Sequence, residues 1–131
     1  MIIERIRESF KQSGFAHYIG FEVDNIEEGN VQLKLSVREE LLNSNGSIHG
    51  GVHASMLDTI LGIAICSVTK TSCLTINLNV SYLNTSTSGE LFATGRILKQ
   101  GYRTAMAEGE IYDSNGVLLA KAVGTFKLLR N

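Results

Sequence analysis

Residues 50–68 read Gly50-Gly-Val-His-Ala-Ser-Met-Leu-Asp58-Thr-Ile-Leu-Gly-Ile-Ala-Ile-Cys-Ser-Val68. On a helical wheel Val52, Ala54, Met56, Leu57, Ile60, Leu61, Ile63, Ala64 and Ile65 leave almost no polar side. A helix apolar all round is a buried helix, so the rest of the chain has to enclose it. Four segments suited to the task follow, at about 73–83, 89–99, 103–113 and 117–128. The first alternates Leu74, Ile76, Leu78 and Val80 against Thr75, Asn77, Asn79 and Ser81, the period of a strand. Ser88-Gly89, Gln100-Gly101 and Asp113-Ser-Asn-Gly116 supply the turns between them.

Upstream, Val31, Leu33, Leu35 and Val37 alternate with Gln32, Lys34 and Ser36, predicting a strand over 30–37. A second strand over 20–24 precedes it across the turn Glu27-Glu28-Gly29-Asn30. Residues 2–12 carry Ile2, Ile3, Ile6 and Phe10 at helical spacing, a short amphipathic helix ending near Gly14. The order is helix, two strands, buried helix, four strands. Strands segregated from helices argue an α+β fold with an antiparallel sheet. A curled antiparallel sheet wrapped around a central hydrophobic helix satisfies each burial pattern, and that arrangement is the hot-dog fold.

No linker, repeat or low-complexity stretch divides the chain, so residues 1–131 are expected to form a single domain. The 44% hydrophobic and 19% charged composition excludes disorder. The longest uninterrupted apolar run, Ile60 to Cys66, has seven residues. A membrane span needs ~20, so no membrane role is expected. Twelve basic against thirteen acidic residues remove the electrostatic case for nucleic acid. The N-terminus mixes charge into its apolar residues and has no signal-peptide core, and Cys66 and Cys73 form no metal pattern. They read as reduced thiols of a cytoplasmic protein. The triplets at Asn45, Asn79 and Asn84 then carry no glycosylation meaning.

The chemistry concentrates in Asn43-Ser-Asn-Gly-Ser-Ile-His49-Gly50-Gly51, where a polar loop enters the apolar helix. The first N–H groups of a helix lack internal partners and sit at its positive end. Glycines there admit a substrate to the backbone, so the Gly50 and Gly51 N–H groups suit a developing oxyanion. The same glycines also serve a plain loop-to-helix entry. Asp58 lies two turns further on, among Met, Leu, Ile and Val. An unpaired carboxylate there costs several kcal/mol, so it is either satisfied by a neighbour such as Thr59 or faces a site as a base. His49 and His53 are spaced i, i+4, but with Gly-Gly-Val between them and no third ligand we assign no metal. His49 is expected to bond backbone or substrate, His53 to lie on the helix surface or an interface, and His17 to be an ordinary surface residue.

With its loop–helix motif placed before four strands, the sequence resembles the hot-dog acyl-CoA thioesterases of the phenylacetate-degradation (PaaI-like) type, well over residues 40–128 and more loosely before. The motif is Asn-x-x-Gly-x-x-His-Gly-Gly followed by Asp seven residues later. The resemblance implies that Asn43 and the Gly50 N–H polarise the thioester carbonyl and that His49 and Gly51 hold substrate. It implies that Asp58 is the catalytic carboxylate, acting across a subunit boundary on water or as a nucleophile, and that Thr75 positions the attacking water. It further implies an acyl-CoA substrate, no cofactor, and a homo-oligomer that is a dimer or a dimer of dimers. Asn79-Val-Ser-Tyr82-Leu matches a family strand, but Asn84-Thr-Ser-Thr replaces the proline-containing turn of relatives. The complete absence of proline argues against the hot-dog dehydratases, whose histidine sits in a proline-rich loop. The alternative to the esterase is a non-catalytic acyl-CoA-binding hot-dog protein. Lys99, Arg103 and Lys127 are candidates for CoA phosphates, and Met56, Leu57, Ile60 and Leu61 for the acyl pocket or for plain core.

Overall fold

The computed structural model describes residues 1–130. Helix α1 (Ile2–Gln12) turns Ile6 into the core, with Ile2, Ile3 and Phe10 half-buried beside it, the face its spacing predicts. The helix ends at Gln12, close to Gly14 as expected. What the sequence does not announce is that the chain turns a corner at Ser13 into a second helix, α2 (Gly14–Ile19). The Ser13 hydroxyl accepts the Ala16 N–H at 3.2 Å and so starts the new helix. Six residues are fewer than two turns, too few to reveal a period. Gly20, at φ 100°, ends α2 in the left-handed conformation that favours glycine.

Strands β1 (Glu22–Glu27) and β2 (Asn30–Ser36) form a hairpin, and a single 3-10 turn (Glu39–Leu41) leads into the polar loop. Helix α3 (Gly50–Thr69) follows, then β3 (Cys73–Tyr82), β4 (Glu90–Gln100), β5 (Thr104–Asp113) and β6 (Leu118–Leu128). The strands make one sheet in the order β1-β2-β4-β5-β6-β3, every neighbouring pair antiparallel. Strand β3, first after the helix, therefore lies at an edge beside β6.

The sheet wraps α3, as the hot-dog reading expects. Met56, Leu57, Ile60, Leu61 and Ile65 are wholly buried. At ~2 kcal/mol for each such side chain they contribute roughly 10 kcal/mol, as much as the net stability of a typical domain. By length and composition α3 would be apolar enough to cross a membrane, but here the sheet takes up that apolar surface. Two glycines let the sheet come close. Gly95 and Gly109 are partners across β4 and β5. A Cβ on Gly109 would lie 2.7 Å from the Thr94 carbonyl and 2.9 Å from Leu61 Cδ2, and one on Gly95 only 3.1 Å from the same Leu61 atom.

Candidate active site

The polar loop before α3 is closed by its own bonds. Asn43 Oδ1 accepts the N–H groups of Asn45 at 2.9 Å and Ser47 at 3.2 Å, and its Nδ2 donates to Ser47 Oγ at 3.2 Å. The Asn43 and Ser47 backbones also bond, at 2.7 Å. An asparagine that ties down its own turn is a strong local organiser. At the helix entry His49 Nδ1 accepts the Gly51 N–H at 2.7 Å, so His49 is the N-cap of α3. The neutral ring then carries its proton on Nε2, at the exposed surface. This corrects one expectation: the Gly51 N–H is already bonded to His49 and is not free for an oxyanion. The Gly50 N–H has no partner among the described residues and keeps that capacity. Opposite it stands Tyr82, at the end of β3, whose Cε1 would be 3.2 Å from a Cβ on Gly50.

Asp58 lies eight residues along α3 and is half-buried. Its partner is Thr75 rather than the adjacent Thr59. The Thr75 hydroxyl donates to Asp58 Oδ1 at 2.6 Å, while Thr59 donates to the Ser55 carbonyl. This contact depends on an irregularity that the alternation conceals. Thr75 pairs with Phe126 and Asn77 with Thr125, so Ile76 is an extra residue, a β-bulge. Plain alternation puts Thr75 on the face opposite Leu78 and Val80. The bulge returns it to the inner face, since a one-residue shift exchanges the faces of a strand. Leu74 and Ile76, expected on the apolar face, are instead 57% and 56% exposed.

The Asp58–Thr75 pair opens onto a cleft of about 520 Å³ bounded by α1, α2, α3 and the start of β3. Ile6, Phe10, Ile63 and Phe126 give it apolar walls, and Arg5 and Lys70 stand at its rim. The helix residues lining it are Thr59, Gly62, Ile63 and Cys66. Met56, Leu57, Ile60 and Leu61 line neither cleft and are plain core. Nor do Lys99, Arg103 and Lys127 reach it, for they lie together at one end of the sheet. A second cleft of about 510 Å³ holds His49, Gly51, Ser55, Tyr18 and Arg38. Phe15 of α2 borders both. Within one chain, then, the structure joins Asp58 to Thr75 and groups Asn43, His49, Gly50 and Gly51, but none of the second group lines the Asp58 cleft.

Both cysteines face that cleft. Burial first, then the nearby Cys66 and Asp58, push the Cys73 thiol up to about 11. Burial likewise raises Cys66, against the opposing charges of Arg5 and Lys70. A thiol so protonated is a poor nucleophile at neutral pH. His53 is a second correction. It is 3% exposed rather than on the helix surface, its ring is stacked on Tyr82 at 6.1 Å, and neither ring nitrogen has a partner. Burial holds its imidazole below the usual histidine range. His17, as expected, is exposed, and its Nε2 meets the Lys11 carbonyl.

Residues 45–120 match the thioesterase superfamily, a span covering more than half of the chain. The chain belongs to the thioesterase superfamily. It is accordingly a thioester hydrolase. A putative esterase of Saccharolobus solfataricus is 30% identical over 98% of this chain and 86% of its own length. The human protein named acyl-coenzyme A thioesterase 13 is 29% identical over 71% of this chain and 69% of its own. Among solved structures, a conserved protein of Pseudomonas aeruginosa superposes with a TM-score of 0.85 at 27% identity, over 89% of this chain and 94% of that one. The PaaI protein of the E. coli phenylacetic acid degradation operon superposes with a TM-score of 0.92, over 99% and 94% of the two chains. At 21% identity it shares the fold.

That Arg5, Phe15 and Cys73 line the Asp58 cleft, and that Tyr82 faces Gly50, escapes sequence reasoning. Tyr82 stood in the matched strand segment, but nothing in its spacing pointed at Gly50. Arg5 belongs to a helix whose polar face looks merely solvated.

Proposed function

We propose that the protein is an acyl-CoA thioesterase of the PaaI-like type, working as a homodimer whose active sites are shared between subunits. The observation that carries the reading is the 2.6 Å bond from Thr75 to Asp58 at the wall of an apolar cleft. Hydrolysis of a thioester needs a base for water and donors for the tetrahedral oxyanion. Asp58 takes a proton from water, and Thr75 holds both the carboxylate and that water in place. The hydroxide adds to the thioester carbonyl carbon, and the resulting oxyanion accepts from the Gly50 N–H and Asn43 Nδ2. Collapse breaks the carbon–sulfur bond, and the proton held by Asp58 passes to the departing CoA thiolate. Acid and CoA leave.

A magnitude favours the shared site. Oxyanion donors must lie ~3 Å from the developing charge, with the base within reach of the water attacking the same carbon. Gly50 and Asp58 are eight residues apart on one helix, ~12 Å at 1.5 Å per residue, too far to serve one carbonyl. A two-fold axis that brings Gly50 of one subunit to Asp58 of another removes the conflict. The β3 edge supports such an axis, because it is unpaired on its outer side and exposes Leu74, Ile76 and Tyr82 by more than half.

The test is thiol release from acyl-CoAs by Asp58→Asn, by Asn43→Ala and by the two coexpressed, with circular dichroism as the check on folding. Each variant alone is expected to lose hydrolysis while keeping the fold. Mixed dimers regain one intact site in two, which restores the coexpressed population to about a quarter of wild type. Near wild-type turnover by Asp58→Asn removes the base assignment. A coexpressed pair as inactive as its parents removes the shared site. Retention of acyl-CoA without release of thiol, by the wild type, favours the non-catalytic binder.

A further inference from the structure

The cleft beside Asp58 carries opposite charges at its two ends. Its helix side runs from Asp58 through Thr59, Gly62, Ile63 and Cys66 to Lys70. From Asp58 to Cys66 is eight residues, ~12 Å of helix. Helix α1 lies against this stretch in the opposite direction. Phe15, just past its end, also borders the Ser55 cleft, whereas the charge of Arg5 is felt at Cys66. The carboxylate of Asp58 and its partner Thr75 therefore stand at one end, and Arg5 with Lys70 at the other. Ile6, Phe10 and Ile63 lie between them.

The two cations differ. Lys70 is engaged by Glu28 at 2.5 Å and by the Ser67 carbonyl at 3.0 Å. Arg5 has no ion-pair or hydrogen-bond partner for its side chain among the described residues. An arginine fork bordering an apolar cleft is matched to a carboxylate, which it holds through two parallel bonds. Between them Ile6, Phe10 and Ile63 offer apolar surface for methylene groups, and the polar groups interleaved with it are the small hydroxyls of Ser9, Thr59 and Ser72.

Resting on the thioesterase reading above, we propose that the acyl chain lies along α3 from Asp58 towards Cys66, and that Arg5 is a specificity residue binding an anionic far end. The substrate class is then the CoA thioester of a medium-chain ω-carboxy acid. Arg5 touches no reacting atom in this arrangement, so its effect falls on selection among acyl groups.

The experiment compares kcat/KM for suberyl-CoA and octanoyl-CoA, equal in length and differing at the far end, in the wild type, Arg5→Gln and Arg5→Lys. The wild type is expected to prefer suberyl-CoA by about threefold to tenfold, the range of a partly exposed charge-assisted contact. The preference shrinks as salt rises from low to high ionic strength. Arg5→Gln removes it while leaving octanoyl-CoA hydrolysis unchanged, and Arg5→Lys keeps part of it. No preference in the wild type, or an undiminished one in Arg5→Gln, overturns the proposal. So does an equal loss on both substrates, which assigns Arg5 to the CoA phosphates instead. Wild-type hydrolysis of octanoyl-CoA without discrimination, or of an aromatic acyl-CoA but neither of these two, sinks this inference alone, whereas release of thiol from none of the three sinks the acyl-CoA thioesterase reading with it.

Discussion

The loop that enters α3 and the strand that reaches Asp58 are built on opposite principles. In the loop, Asn43 binds Asn45 and Ser47, and His49 binds Gly51, all within nine residues of chain. Asp58 is completed from 17 residues away, by a threonine on an edge strand whose orientation depends on one inserted residue. A local half forms wherever its sequence is present. A distant half exists only when strand, helix and register are all correct. The first suits groups whose spacing must not vary, such as backbone donors. The second lets one loop or register change alter the surroundings of Asp58.

The contrast can be broken most severely by deleting Ile76. Without the bulge, Thr75 turns to the outer face of the sheet and Asp58 loses its partner. Misplacement on this scale is expected to cost about a hundredfold in kcat or more, read by thiol release with the sheet intact by circular dichroism. Deletion with full activity would show that the bulge is incidental. Thr75→Ala tests the contact without moving the strand and should lower kcat by about tenfold, the value of one hydrogen bond to a charged group. Thr75→Ser should recover most of it.

On the local side, Asn43→Ala should also cost stability, because the Asn45 and Ser47 N–H groups and the Ser47 hydroxyl lose their partner. We expect ~1–2 kcal/mol in denaturant unfolding, where Thr75→Ala, at an exposed site, stays within about 0.5 kcal/mol. Equal losses would erase the distinction between the halves. The smallest effect concerns His53. Burial keeps its folded-state pKa below that of the unfolded chain, so the unfolded chain takes up the proton first as pH falls. The neutral ring's contribution is fully present above about pH 6.5 and is lost below it, by at most ~1.4 kcal/mol per pH unit. His53→Phe, which retains the stack on Tyr82, should flatten the pH dependence of stability between pH 7 and 5; an unchanged slope would show that His53 does not titrate there.

The same division governs what could be read in advance. The apolar circumference of residues 50–68 predicted a wrapped helix, and the turns at Gly89, Gly101 and Gly116 divided the later strands correctly. Asn43, His49, Gly50 and Asp58 stood out because polar or glycine residues next to an apolar run are locally anomalous. Helix α2 stayed hidden, since its start depends on a single Ser13 cap. The place of Arg5 on the Asp58 cleft and of Tyr82 against Gly50 was invisible, because each follows from helix docking and strand placement rather than from neighbouring residues in sequence.

The buried helix α3 was thus determined by the sequence alone. Its hydrophobicity is a property of consecutive residues, and any fold must remove that surface from water. Sequence also determined the entry loop, whose bonds span a few residues. Only the tertiary structure decided that Asp58 meets Thr75, that the cleft lies under α1, and that Gly51 is already bonded to His49. Pairing register and helix docking are sums over distant contacts. A one-residue bulge, which changes the composition of β3 by nothing unusual, reverses which side of the strand meets Asp58.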